Sequence, residues 1–238
     1  MLAERAIVVS FSGIDGAGKS TQIEMLETCL REAGLRSCLL TFWDDVATLS
    51  SFREFCSHAF LRGDKGVGSP DKPIERRDKN VKSWPAMLLR LFFYLFDAVH
   101  LNIVVKRAKK SGVDVVIFDR YLYDELANLP LKRAFISSYV RFLLKLVPQP
   151  DVAYLLDADP AIARRRKPEY PYEFLKRNRM SYLSLTDFAR GIIVIEPTSV
   201  GEAQWKVVGE LTKKLPGRNS EFFCIAKKFM ESISEISF

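Results

Sequence analysis

At 238 residues, 48% hydrophobic and 27% charged, the chain has the length and apolar content of one globular α/β domain with a full core, which excludes wholesale disorder and leaves little room for two independent domains. Its 36 Lys and Arg against 29 Asp and Glu give a net charge of +7 and a pI near 9.2, a surface that attracts anions such as nucleotides. The basic residues are spread along the chain without a base-reading motif, so nucleic acid is not the expected partner.

In chain order, the N-terminal apolar stretch is interrupted by Glu4 and Arg5 and does not read as a signal peptide. Residues 6–11 form a β-branched run predicting a strand, followed by a glycine loop and a helix over 19–33 that Gly34 terminates. Further apolar runs predict strands at 37–42, 113–118, 151–156 and 191–195. Between them, helical patterns fall at 49–60, 84–110, 131–146, 160–185 and 201–214. Strands that are apolar throughout and alternate with helices indicate a parallel sheet buried on both faces, hence a three-layer α/β sandwich.

The apolar stretch 88–105 carries Arg90, Asp97 and His100, which a membrane span would have to pair, so a buried helix is expected there. Residues 62–82, polar with several glycines and prolines, predict an exposed loop beside the site. An apolar and basic segment after Gly217 reads as an additional helix outside the main domain, placed at 1–215, with 216–238 as a C-terminal extension. Cys29, Cys38, Cys56 and Cys224 form no CxxC pair and suggest neither a metal knuckle nor a disulfide framework, so a reducing cytoplasm is expected.

Three features carry chemistry. Gly13-Ile14-Asp15-Gly16-Ala17-Gly18-Lys19-Ser20, followed by Thr21, matches GxxxxGK[ST] between a predicted strand and helix. Its glycines let backbone N–H groups curl around phosphate oxygens, and the helix N-terminus adds partial positive charge. Lys19 is expected to bridge the β- and γ-phosphates of ATP and Ser20 to hold Mg²⁺. Second, Asp119-Arg120-Tyr121 closes a strand, where a carboxylate faces the ligand crevice of an open α/β sheet; Asp119 would orient Mg²⁺ or the acceptor, and Arg120 would clamp a phosphate. Third is the run Arg164-Arg165-Arg166-Lys167. Neighbours on a helix point about 100° apart, so only one or two of these can reach a single ligand.

With these features in this order, residues 6–215 resemble the thymidylate kinase family, within the P-loop nucleoside-monophosphate kinases. The resemblance rests on the loop 11–22, on Asp119-Arg120-Tyr121 as a DRY motif, and on Leu156-Asp157-Ala158-Asp159-Pro160 followed by the arginines, a lid over about 160–180. It implies a five-stranded parallel sheet in the order 2-3-1-4-5, transfer of the ATP γ-phosphate to a nucleoside monophosphate, and a homodimer formed along the helix 84–110. Gly16 and Ala17 leave the loop without the catalytic arginine that some family members carry there, so Arg164, Arg165 and Arg166 are the candidates to supply it.

The acceptor side departs from the family pattern. The second strand runs into Thr41-Phe42-Trp43-Asp44, with no acceptor-phosphate arginine; Asp97 stands where a base-reading arginine precedes the histidine by three; Asn128 replaces the tyrosine after the DRY motif. The acceptor set is therefore Asp15, Trp43, Phe93, Asp97, Arg120 and Asn128, with Trp43, Phe92, Phe93 or Phe96 available to stack on a base. Asp97 would favour an amino group over a carbonyl, or it is a structural carboxylate paired with Arg90 or Arg53. The alternatives are a nucleoside or other small-molecule kinase, and a non-catalytic nucleotide-binding partner protein.

Overall fold

The computed structural model describes residues 6–47, 84–215 and 222–228. Five strands, β1 (Ile7–Ser12), β2 (Ser37–Thr41), β3 (Val115–Asp119), β4 (Val152–Leu156) and β5 (Ile192–Ile195), pair in parallel in the order β2-β3-β1-β4-β5. Helices α1 (Lys19–Glu32), α2 (Trp84–Lys110), α3 (Leu122–Leu126), α4 (Ala134–Leu146), α5 (Pro160–Arg166), α6 (Tyr172–Leu185) and α7 (Val200–Thr212) connect and cover them, and a further helix, α8, spans 222–228. This is the expected sandwich, in the expected strand order.

The central strands are apolar throughout because both of their faces are covered. Ile7, Val9 and Phe11 join one core with α1, α7 and α8, in which Phe222 and Ala226 of α8 are buried. Val8, Val116 and Phe118 join the other, with α2, α3, α4 and α6. The segment Met87–Lys110 is long and apolar enough to cross a bilayer by length and composition alone. Its Leu91, Tyr94, Ala98, Leu101 and Val105 are nevertheless packed into that second core, making α2 a core helix along one face.

The sequence pattern and the structure part company in two places. Residues 160–185 do not form one helix, because Pro168 and Pro171 remove backbone donors and bias the residues before them away from helix. Lys167 is accordingly extended (φ −135°, ψ 91°), and α6 starts only after Pro171. The short helix α3, five residues long, falls below the length at which periodicity can be read. The predicted helix 49–60 and loop 62–82 lie outside the described residues.

Candidate active site

The loop between β1 and α1 is fixed by how closely its backbone passes its neighbours. A Cβ on Gly16 (φ +84°) would stand 2.4 Å from the carbonyl oxygen of Ala163 in α5, so only glycine lets that helix rest on the loop. Gly18 begins α1 in a left-handed conformation. Lys19 is the first residue of α1, and its Nζ returns over the loop to donate to the carbonyls of Gly13 (2.9 Å) and Ile14 (3.1 Å). The side chain is buried; that desolvation, and next the nearby Arg120 guanidinium, bring its pKa down to about 8, although Asp15, Asp124 and Asp119 oppose the shift.

β3 delivers the second group. Asp119 pairs in register with Phe11 of β1 and Thr41 of β2, so it stands at the strand end beside the loop. Its Oδ1 is buried and accepts no hydrogen bond. Arg120 follows with φ +69°, a left-handed backbone that costs a non-glycine residue roughly 1–2 kcal/mol. Its N–H donates to the Phe11 carbonyl (2.9 Å), and its guanidinium forms an ion pair with Asp15 of the loop. Burial works against this charge, but Asp15, Asp124 and Tyr182 outweigh it and push the arginine pKa above its ordinary value, so Arg120 is a fixed cation.

Two cavities flank the loop. The larger, about 440 Å³, is lined by Ala17, Gly18, Thr21, Asp157, Arg166, Thr198 and their neighbours, and lies between α5 and the segment following β5. The smaller, about 290 Å³, is lined by Asp15, Trp43, Arg90, Arg120, Asp124, Glu125, Asn128, Lys167, Glu169 and Tyr170. Trp43 arrives there on a π-helical turn, Phe42–Val46, that buries Phe42 and Val46. The turn is held by Asp45 accepting from the Thr41 N–H (2.6 Å), by Asp44 accepting from the Thr41 hydroxyl (2.7 Å), and by a contact of His100 Nδ1 with the Val46 carbonyl (2.7 Å).

The basic run resolves by geometry. Asp159 caps α5 by accepting from Ala161 N (2.8 Å) and Ile162 N (3.1 Å), with Pro160 in the first turn, and this sets the rotation of the helix. Arg166 then lies against the loop, its Nη1 3.5 Å from the Gly16 carbonyl, and lines the larger cavity. Arg164 and Arg165 are exposed and line neither cavity. Arg179 makes a two-pronged pair with Asp157 (2.6 and 2.7 Å) that ties α6 to the end of β4.

Of the residues expected to bind the acceptor, Asp15, Trp43, Arg120 and Asn128 converge on the smaller cavity. Asp97 and Phe93, both buried, line neither cavity. Sequence reasoning did not single out Asp124 and Glu125; it named Lys167 only as the end of the basic run, and Arg90 only as a charge within the apolar helix and a partner for Asp97. Acidic residues in a first helical turn are ordinary, and nothing local marked these two.

No family model matches the chain. It is 29% identical over 228 residues to a thymidylate kinase of Solidesulfovibrio magneticus, covering 85% of this chain and 99% of that protein. It is 28% identical over 218 residues to a probable thymidylate kinase of Thermococcus gammatolerans, covering 88% and 97%. A thymidylate kinase of Bifidobacterium longum subsp. infantis is 30% identical over 190 residues, 75% of this chain and 73% of its own. With the glycine loop, the strand-end Asp119-Arg120 pair and the sheet order already in place, these similarities establish that the chain belongs to the thymidylate kinase family.

Proposed function

We propose that the protein transfers the γ-phosphoryl group of ATP to a nucleoside monophosphate, with the larger cavity taking the donor and the smaller the acceptor. The observation that carries this reading is the pair of cavities on either side of one phosphate-binding loop, with Gly18 and Arg166 facing one and Asp15 and Arg120 facing the other. Phosphoryl transfer asks the protein chiefly for positioning and charge stabilisation. Lys19 and Arg166 hold the donor phosphates from the loop and lid sides, while Arg120, kept charged and aimed by Asp15, meets the transferred group. Ser20 and Asp119 would hold Mg²⁺, which neutralises phosphate charge when bound. The buried, unpartnered Oδ1 of Asp119 fits that task, since Mg²⁺ is commonly held by one carboxylate together with substrate phosphates.

The names of the relatives support a nucleotide acceptor. A second reading, phosphorylation of a nucleoside or other hydroxyl compound, draws on Trp43, which lines the acceptor cavity on the segment after β2, where the family carries an arginine for the acceptor phosphate. Assaying ADP formation by purified protein against nucleoside monophosphates, nucleosides and sugar phosphates tests both. Stimulation by a monophosphate is the expected result; stimulation by nucleosides alone selects the second reading, and stimulation by none of them rejects both. The same reading carries a kinase domain over 1–215 with an extension at 216–238, a cytoplasmic location, and a homodimer packed along α2.

A further inference from the structure

Asp124 is a buried carboxylate with three donors converging on it from three parts of the chain. Its Oδ2 accepts from the Ser12 hydroxyl (2.7 Å), at the end of β1 just before the phosphate loop, and from the Tyr121 N–H (2.9 Å). Its Oδ1 accepts from the Tyr182 hydroxyl (2.7 Å), on α6. The Tyr121 N–H belongs to the peptide that follows Arg120, while the Arg120 N–H is held by the Phe11 carbonyl (2.9 Å). Both peptides flanking the left-handed Arg120 are therefore pinned, one by a strand carbonyl and the other by Asp124. A left-handed arginine persists only where its surroundings impose it.

We propose, resting on the kinase reading above, that Asp124 is a positioning residue for phosphoryl transfer: it locks the Arg120 backbone so that the guanidinium reaches Asp15 and the transferred phosphate, and Ser12 and Tyr182 lock Asp124. The carboxylate also lines the acceptor cavity, so its negative charge lies beside the cation it positions. Tyr182 suits this role as a donor, because burial, and next Asp124, push its phenol pKa well above the ordinary value and keep it protonated.

The test is a mutant cycle read on kcat and KM separately, in the full chain with the acceptor that stimulates ADP formation best. Asp124→Ala is expected to lower kcat about 10²-fold, with KM for ATP changed by less than about threefold, because Asp124 hydrogen-bonds Ser12, Tyr121 and Tyr182 and reaches Lys19 of the donor loop only through its charge. Asp124→Asn, which keeps the shape and one acceptor oxygen, is expected to fall between Asp124→Ala and wild type. Arg120→Ala combined with Asp124→Ala is expected to be no slower than Arg120→Ala alone, since Asp124 acts through Arg120. A purely structural carboxylate would give losses that multiply in the double variant, and that result, or unchanged kcat in folded Asp124→Asn, overturns the proposal. A readout without turnover separates this from failure of the kinase reading. The Arg120 Nε–H resonance, assigned by its loss in Arg120→Lys, is expected to be dispersed in the wild type and to collapse to the free-arginine position in Asp124→Asn and Asp124→Ala. Persistence of the dispersed signal overturns the proposal even in a protein that turns over no acceptor.

Discussion

Lys19 stands where burial and function pull in opposite directions. The proposed phosphate binding needs the ammonium, and desolvation brings its pKa to about 8. Lysine is cationic below its pKa, so kcat/KM for ATP is expected to fall as pH rises through about 8, while kcat, which reports the phosphate-bound form, holds to higher pH. A pH profile of the two constants checks this; a kcat/KM flat to pH 10 contradicts it. The linkage sign is the reverse for stability. The folded state binds fewer protons than the unfolded between pH 8 and the ordinary lysine value, so Lys19 lowers stability below pH 8 and that penalty is relieved as pH rises. Asp97 poses a different question. Being buried and lining neither cavity, it is expected to act on stability: Asp97→Asn should cost about 1–3 kcal/mol in denaturant unfolding and leave acceptor preference as it was. A changed preference in the folded variant would assign Asp97 to the acceptor.

At the scale of elements, α5 and α6 show what sequence can and cannot convey. The strands were legible because each is an apolar run closed by a polar or glycine residue, and the loop because Gly16 and Gly13 stand where an added Cβ would lie 2.4 and 2.5 Å from a carbonyl oxygen. The break between α5 and α6 was written in Pro168 and Pro171, although the helical pattern on either side masked it. Which arginine reaches the loop was not legible, because that depends on the rotation of α5, fixed by the Asp159 cap and the contact of Ala163 with Gly16. The Asp124 cluster was also out of reach, because its hydroxyl partners lie 112 and 58 residues away along the chain. Arg166→Ala is expected to lower kcat by about 10²–10³-fold, whereas Arg164→Ala and Arg165→Ala, on the solvent side, should stay within about threefold of wild type. Steady-state kinetics on the three variants decide it, and equal losses in all three would contradict the assignment.

For the whole molecule, the opposite face of α2 matters most. Leu88, Phe92, Phe96, Val99 and Ile103 are exposed at spacings of four, four, three and four residues, one continuous apolar stripe on a helix whose other side is core. Phe142 and Leu146 of α4 are exposed too, and Trp84 of α2 packs its ring 6.0 Å from that of Phe135 on α4. If two copies pair along this stripe, Phe92→Glu with Phe96→Glu is expected to yield a folded monomer in light scattering; a wild-type protein already monomeric at tens of micromolar would contradict the dimer. At the sheet's other face, α8 buries Phe222 against α1 and α7, and its Phe223 ring lies 6.0 Å from that of Trp205.

In the proposed reaction a phosphoryl group passes between two cavities that share one loop. Mass spectrometry of the products formed from ATP labelled in the γ-phosphoryl oxygens tests it most directly. A nucleoside diphosphate carrying the labelled phosphoryl group, formed by wild-type protein and absent with Lys19→Ala, is the predicted result. Label recovered only in inorganic phosphate, or an equal yield of labelled product from Lys19→Ala, would contradict it.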